Sequence, residues 1–241
     1  MSDPANDFIK TSARLFNSGQ ARALLLTGNI HDLFRLDTRT GGEANYVPLV
    51  NLLLSRWAVP HRLLLVYELN GPIRFPGDPE KEKMRDAWLK WRTGMDADQL
   101  AIETMLSGDK MRARLETMRQ AFDDNLKDAV GNPSVALELL RQFCLCSRTQ
   151  LGRRTLLEED LLIIVEAADC LCPEGEITQL SDSDRHRVSI FQDWFEDPGF
   201  MDGNDCVVLL AESPSLLNHR VTRLPQVAEV AIPSPDEAAR R

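Results

Sequence analysis

Four largely apolar stretches punctuate this chain: residues 23–28 (ALLLTG), 61–69 (HRLLLVYEL), 160–168 (DLLIIVEAA) and 205–211 (DCVVLLA). Each reads as a strand buried on both faces, the kind that parallel sheets contain. Residues 227–232 read as a shorter fifth strand ahead of Pro233-Ser234-Pro235. The segments between them carry apolar residues at helical spacing. Residues 7–17 set Phe8, Ala13, Leu15 and Phe16 on one face and stop at Ser18-Gly19. Residues 46–57, 135–148 and 187–195 predict further helices, that over 135–148 capped by Pro133-Ser134, and residues 216–224 a shorter one. Strands alternating with helices predict βαβ units. The expected fold is α/β, a three-layer sandwich with a mainly parallel five-stranded sheet.

Residues 77–132 break this rhythm. They hold ten basic and twelve acidic residues, with apolar positions at Trp88, Trp91, Leu100, Met105, Leu115, Met118 and Phe122. This pattern predicts two or three surface helices, a charged helical insertion within a single domain spanning residues 1–241. Composition then narrows the class. A chain of 241 residues with 43% hydrophobic content buries a substantial core. Its longest apolar runs are far short of the roughly 20 residues that a membrane helix needs, so no membrane association is expected. The opening MSDPANDFIK lacks the arrangement of a secretory signal, and five cysteines in such a chain point to a reducing, cytoplasmic setting.

Net charge is −9, and its placement is informative. Residues 155–198 hold twelve acidic residues against only Arg185 and Arg187. An excess confined to one stretch marks a local face, and its sign excludes a nucleic-acid groove. In parallel α/β sheets ligands sit at the carboxyl ends of strands. That rule directs attention to residues 27–32, 68–71, 166–169 and 212–214.

Those ends carry Glu166 and Asp169, then Glu212 and Ser213, then Arg220 and Arg223, then Ile232-Pro233-Ser234-Pro235-Asp236-Glu237-Ala238-Ala239-Arg240. The order resembles the second half of an AAA+ ATPase domain, with its Walker B strand, polar sensor, arginine fingers and I-P-x-P-D-E-x-x-R phrase. The resemblance covers residues 133–241 well and the earlier strands loosely. It implies a P-loop NTPase sandwich and a role in ATP-driven protein remodelling. The family's small helical lid would follow Arg240-Arg241, so the chain is expected to lack a lid and to be the front module of a longer AAA+ protein.

Departures from the family pattern are as informative. The phosphate loop, GxxxxGK followed by Ser or Thr, is absent: of six lysines only Lys10 precedes Thr or Ser, and no strand comes before it. The altered phosphate-loop position reads Gly28-Asn29-Ile30-His31-Asp32-Leu33-Phe34. By the resemblance, Glu166 stands where the magnesium-holding Asp belongs, Ala167 where the water-activating Glu belongs, and Asp169 on the trailing Asp. Glu212 or Ser213 holds the sensor position, where a carboxylate would repel a γ-phosphate. These residues are remnants of a nucleotide and magnesium site, and no catalytic residue or resident cofactor is expected. Arg220 and Arg223 fall at the arginine-finger position and could act in trans, or be surface arginines on a helix.

Other signals carry bland readings. Cys144 with Cys146 and Cys170 with Cys172 could hold zinc, but such spacing suits buried thiols better, and no metal site is expected. His31 beside Asp32 and His186 beside Asp184 lack any catalytic frame. Leu33 and Phe34 are read as plugging the vacated phosphate space, and residues 180–187 (LSDSDRHR) as a polar interaction loop. The expectation is a catalytically inactive AAA+-like domain that serves assembly, regulation or partner binding. Its partners would be a protein or an active AAA+ module, and a homo-oligomer in the full-length setting. The alternatives are an ATPase with a non-standard phosphate site, using Glu166 and Asp169 on magnesium with ATP, and a plain interaction module.

Overall fold

The computed structural model describes residues 7–36, 45–152 and 154–234, without the side chain of Arg154. In chain order its elements are α1 (Asp7–Asn17), β1 (Ala23–Gly28), β2 (Leu33–Leu36), β3 (Asn45–Pro48), α2 (Leu49–Trp57), β4 (Arg62–Tyr67) and β5 (Ile73–Arg74). Three helices come next, α3 (Asp78–Thr93), α4 (Ala97–Ser107) and α5 (Asp109–Asp128). Then come α6 (Pro133–Arg148), β6 (Gln150–Leu151), β7 (Arg154–Thr155), β8 (Asp160–Val165) and α7 (Ala168–Leu171). The chain continues through α8 (Asp182–Phe195), α9 (Pro198–Asp202), β9 (Cys206–Ala211), α10 (His219–Thr222) and β10 (Val227–Ile232).

The central sheet has the order β10-β1-β9-β8-β4-β5, every pairing parallel except β4 with β5. Each long strand alternates between faces as the pleat requires. Leu24 and Leu26 of β1, with Leu162, Ile164, Val208 and Leu210, meet α1 and α2 on one face. Ala23 and Leu25, with Ile163, Val165, Val207 and Leu209, meet α3, α5, α6 and α8 on the other. Burial on both faces is what makes these strands continuously apolar in sequence.

The sheet has six strands rather than five. Asn70-Gly71-Pro72 turns the chain sharply, so that Ile73 and Arg74 return antiparallel beside Tyr67 and Val66. Two bonded residues carry too weak a pattern to be seen in sequence. Residues 46–48 are not helical: β3 pairs with β2 as a small hairpin, and α2 begins only at Leu49. The cap of α6 is the Asn132 side chain, which accepts from the Val135 amide, with Pro133 in the first helical position. Residues 182–187 are likewise helical, because Ser181 caps α8 by accepting from the Asp184 amide.

The charged segment forms three helices, and its role is more than a solvated coat. Met84, Ala87, Trp88 and Phe122 are buried in the same cluster as the strands, while α4 buries no residue at all. Beneath them Asp205 ties the other end of the sheet together. It accepts hydrogen bonds from the Leu161 amide at 2.8 Å and from the Ser147 hydroxyl, joining β9 to β8 and α6.

Candidate functional site

The connection leaving β1 passes to the α2 face, whereas those leaving β8 and β9 pass to the opposite face. Neighbouring strands whose connections part in this way open a crevice at their carboxyl ends. A cavity of about 360 Å³ lies there, lined by His31 and Asp32 after β1, Glu166, Ala167 and Asp169 after β8, Glu212 after β9, and the start of α2. The fold thus gathers at one place five of the ten site residues singled out from sequence, His31, Asp32, Glu166, Asp169 and Glu212.

The end of β1 is tightly fitted. Gly28 has φ +96, and a Cβ on it would lie 2.9 Å from the carbonyl oxygen of Ile232, so only glycine suits this turn. Its amide donates to the carbonyl of Glu212, and the Asn29 amide donates to that of Ile232. Asn29 Nδ2 donates to Asp32 Oδ2 at 3.2 Å. The chain then enters the β2–β3 hairpin rather than a helix. Phe34 is buried against Phe8 of α1, their ring centroids 6.0 Å apart, and is not on the crevice lining. Leu33 is 57% exposed.

Around the crevice the polar groups satisfy one another. His31 Nε2 lies 3.1 Å from Glu212 Oε1, and the Glu212 amide donates to Asp169 Oδ2 at 3.4 Å. Arg74, reached only through the unforeseen strand β5, places Nη2 2.6 Å from Glu68 Oε1 and 3.0 Å from Glu166 Oε1. Burial raises the Glu166 carboxyl above its ordinary range, the Glu68 charge adds to this, and Arg74 opposes it. Cys170 is also raised, first by desolvation and then by Asp169 and Glu212. The thiols of Cys144, Cys146 and Cys172 are buried and pushed upward by desolvation, so they stay protonated. Among the described residues no three His, Cys, Asp or Glu side chains cluster as metal ligands would.

Other sequence candidates sit elsewhere. Ser213 caps a short 3-10 turn at Pro214–Leu216 through its hydroxyl. Arg220 lies in α10 and Arg223 at its C-cap; both are exposed, outside the crevice, and neither makes an ion pair among the described residues. His186 lies in α8. Residues 235–240 of the I-P-x-P-D-E-x-x-R phrase lie outside the described residues.

Ala167 has φ 50 and ψ 46, the left-handed region that costs a residue with a Cβ about 1 kcal/mol or more. Ala167→Gly is expected to raise stability by ~0.5–1 kcal/mol, read as a higher denaturant midpoint at unchanged slope.

An open, mainly parallel sheet with helices on both faces and a crevice at its switch point defines a Rossmann-like domain. The family profile described as the AAA+ chaperone, N-terminal Rossmann-like domain, matches residues 2–233. The chain belongs to this family. No curated protein matches it. Among solved structures it is similar to a chain from the HORMA:CdnC:Trip13 complex of E. coli MS115-1, with 13% identity and a TM-score of 0.44 over 98% of this chain. It spans 57% of the length of that chain, and likeness at this level carries no inference. Among the described residues no helix is long and apolar enough to cross a membrane.

Proposed function

We propose that this domain serves assembly, regulation or partner binding for an ATP-driven remodelling machine and does not itself hydrolyse nucleotide. One observation carries the reading: among the described residues, the switch-point crevice offers Asp32, Glu166, Asp169 and Glu212 and no lysine or arginine on its lining. A triphosphate brought there meets like charge, each pair costing roughly 1–4 kcal/mol at 4 Å between water-like and surface-like screening. Arg74 offsets only the Glu166 share of that charge, and no lysine or arginine among the described lining residues faces the other three carboxylates. The usual cradle of backbone amides at a helix start is also missing after β1, because β1 runs into a hairpin. Magnesium with ATP therefore does not fit these residues. Glu166, the side chain placed for a cation, is already engaged by Arg74.

Ala167 supports the same reading, since a methyl group cannot orient a water for attack on phosphorus. Arg220 and Arg223, exposed and without an ion pair among the described residues, suit donation in trans to a neighbouring module's phosphate. The test is thermal. Millimolar ATP or ADP with magnesium is expected to leave the melting temperature within about 1 °C, whereas a ligand at 100 times its Kd adds ~2.7 kcal/mol, several degrees in a domain of this size. A rise of several degrees would overturn the proposal.

A further inference from the structure

One helix of the charged segment has an unexplained outer face. Helix α4 buries none of its residues, and three large apolar side chains on it stand in solvent: Ile102 at 57%, Met105 at 84% and Leu106 at 78% exposure. Spacings of three and four residues put Asp98, Ala101, Ile102, Met105 and Leu106 on one stripe of the helix. A contiguous apolar stripe on an otherwise solvated helix marks an interaction surface rather than scattered exposure.

Charge at the two ends of the stripe says what covers it. The N-terminal end carries Asp96 and Asp98, and α4 holds no basic residue. At the other end the chain turns at Gly108 into α5, whose first residues are Asp109, Lys110, Arg112 and Arg114, with Arg112 only loosely paired to Asp109 at 3.6 Å. Counted over α4 and the start of α5, one end is net negative and the other net positive, while Asp96 and Asp98 also border a cleft with Lys83 and Lys90 of α3. Two copies of α4 laid antiparallel about a two-fold axis near Ile102 bring the acidic end of each against the basic end of the other. They cover all three apolar side chains at once. A two-fold interface has to be self-complementary in this way, with residue i of one copy meeting residue j of the other and the reverse.

We infer that the outer face of α4 is a homodimer interface, in which Ile102, Met105 and Leu106 of two chains pack antiparallel and Asp98 of each faces Lys110 and Arg112 of the other. Three large side chains on each copy place this among small, reversible interfaces, near the low end of roughly 1,200–2,000 Å². The dimer is therefore expected to dissociate on dilution. The inference deepens the assembly reading by naming a second copy as one partner. It uses no residue of the switch-point crevice, so nucleotide binding there would overturn the earlier proposal and leave this one standing.

Sedimentation equilibrium of the chain across the micromolar to millimolar range tests it. The expected result is a monomer–dimer equilibrium, weakened at least tenfold in I102S/M105S/L106S, whose melting temperature stays unchanged because the face is exposed. Asp98→Lys alone should also weaken the dimer, and combining it with Lys110→Asp and Arg112→Asp should restore it. A chain that stays monomeric throughout overturns the inference. So does a dimer indifferent to the triple serine variant. A monomer that instead binds a synthetic amphipathic peptide with lysines at its ends, and loses it in the triple variant, assigns the face to another protein and overturns the two-copy pairing as well.

Discussion

Phe143→Ala is expected to cost ~3–5 kcal/mol, the usual loss when a fully buried phenylalanine leaves a cavity that its neighbours cannot close. Phe143 of α6 stacks on Phe122 of α5 at 5.8 Å between centroids and leans on Phe75 at 6.2 Å, while Trp88 of α3 meets Phe122 edge-on at 5.7 Å. This aromatic chain is the seam between the charged helices and the sheet. At ~2–4 °C per kcal/mol for a domain of this size, the loss lowers the melting temperature by roughly 6–20 °C. A denaturant midpoint that hardly moves would mean that residues 77–132 pack loosely on the sandwich. A large drop in one cooperative transition means that helices which look like surface decoration in sequence unfold with the strands.

The second large effect depends on pH. Asp205 is buried at the start of β9, and desolvation pushes its carboxyl from 3.8 up to about 6, against the pull of the Ser147 and Leu161 hydrogen bonds. A carboxyl raised in the folded state favours folding most when protonated. Its contribution is full below about pH 4 and is lost as the pH rises through about 6. Asp205→Asn keeps an oxygen for the Leu161 amide and offers an N–H to Ser147, but cannot ionise. Relative to the native chain, the Asn variant should therefore gain ~3 kcal/mol between pH 4 and pH 7, about 1.4 kcal/mol per pKa unit. Denaturant midpoints of both proteins at pH 4, 5, 6 and 7 measure this. A difference independent of pH would show that Asp205 ionises as freely in the folded state as in the unfolded one.

Strands buried on both faces leave a signature that no surface strand can match, which is why residues 23–28 agree residue for residue with β1; residues 227–232 match β10 on a weaker pattern, an edge strand in which only Val230 and Ile232 are buried. Helix α1 is equally legible, because a single face carries its burial. Short hairpins are not. Tyr46 and Val47 fit a helical period as readily as a strand, and their pairing with Arg35 and Phe34 is decided by contacts across the β2–β3 hairpin. The same blindness hides Arg74: its role depends on a two-residue strand that brings it back to Glu68 and Glu166. The turn at Asn70-Gly71-Pro72 is the available signal, and in sequence it reads as the end of a strand rather than a reversal. Residues 180–187 mislead because a polar, acidic N-terminal turn with a Ser cap looks like a loop until the apolar residues after Arg187 are counted into the same helix. Within the crevice, the strand-end rule alone finds His31, Asp32, Glu166, Asp169 and Glu212, whereas Ser213 turns out to serve its own cap.

Strand β1 lies between β9 and β10, so both of its neighbours are drawn from residues 206–232, near the far end of the described chain. At ~5–20 residues per second a ribosome releases this strand roughly 10–35 seconds before its first partner exists. For that interval ALLLTG is an apolar segment whose backbone donors and acceptors have no strand to pair with. Closing the sheet across so long a loop is the slow step expected of non-local pairing. A member of a chaperone family thus carries, in its own nascent form, the kind of exposed segment that chaperones shield.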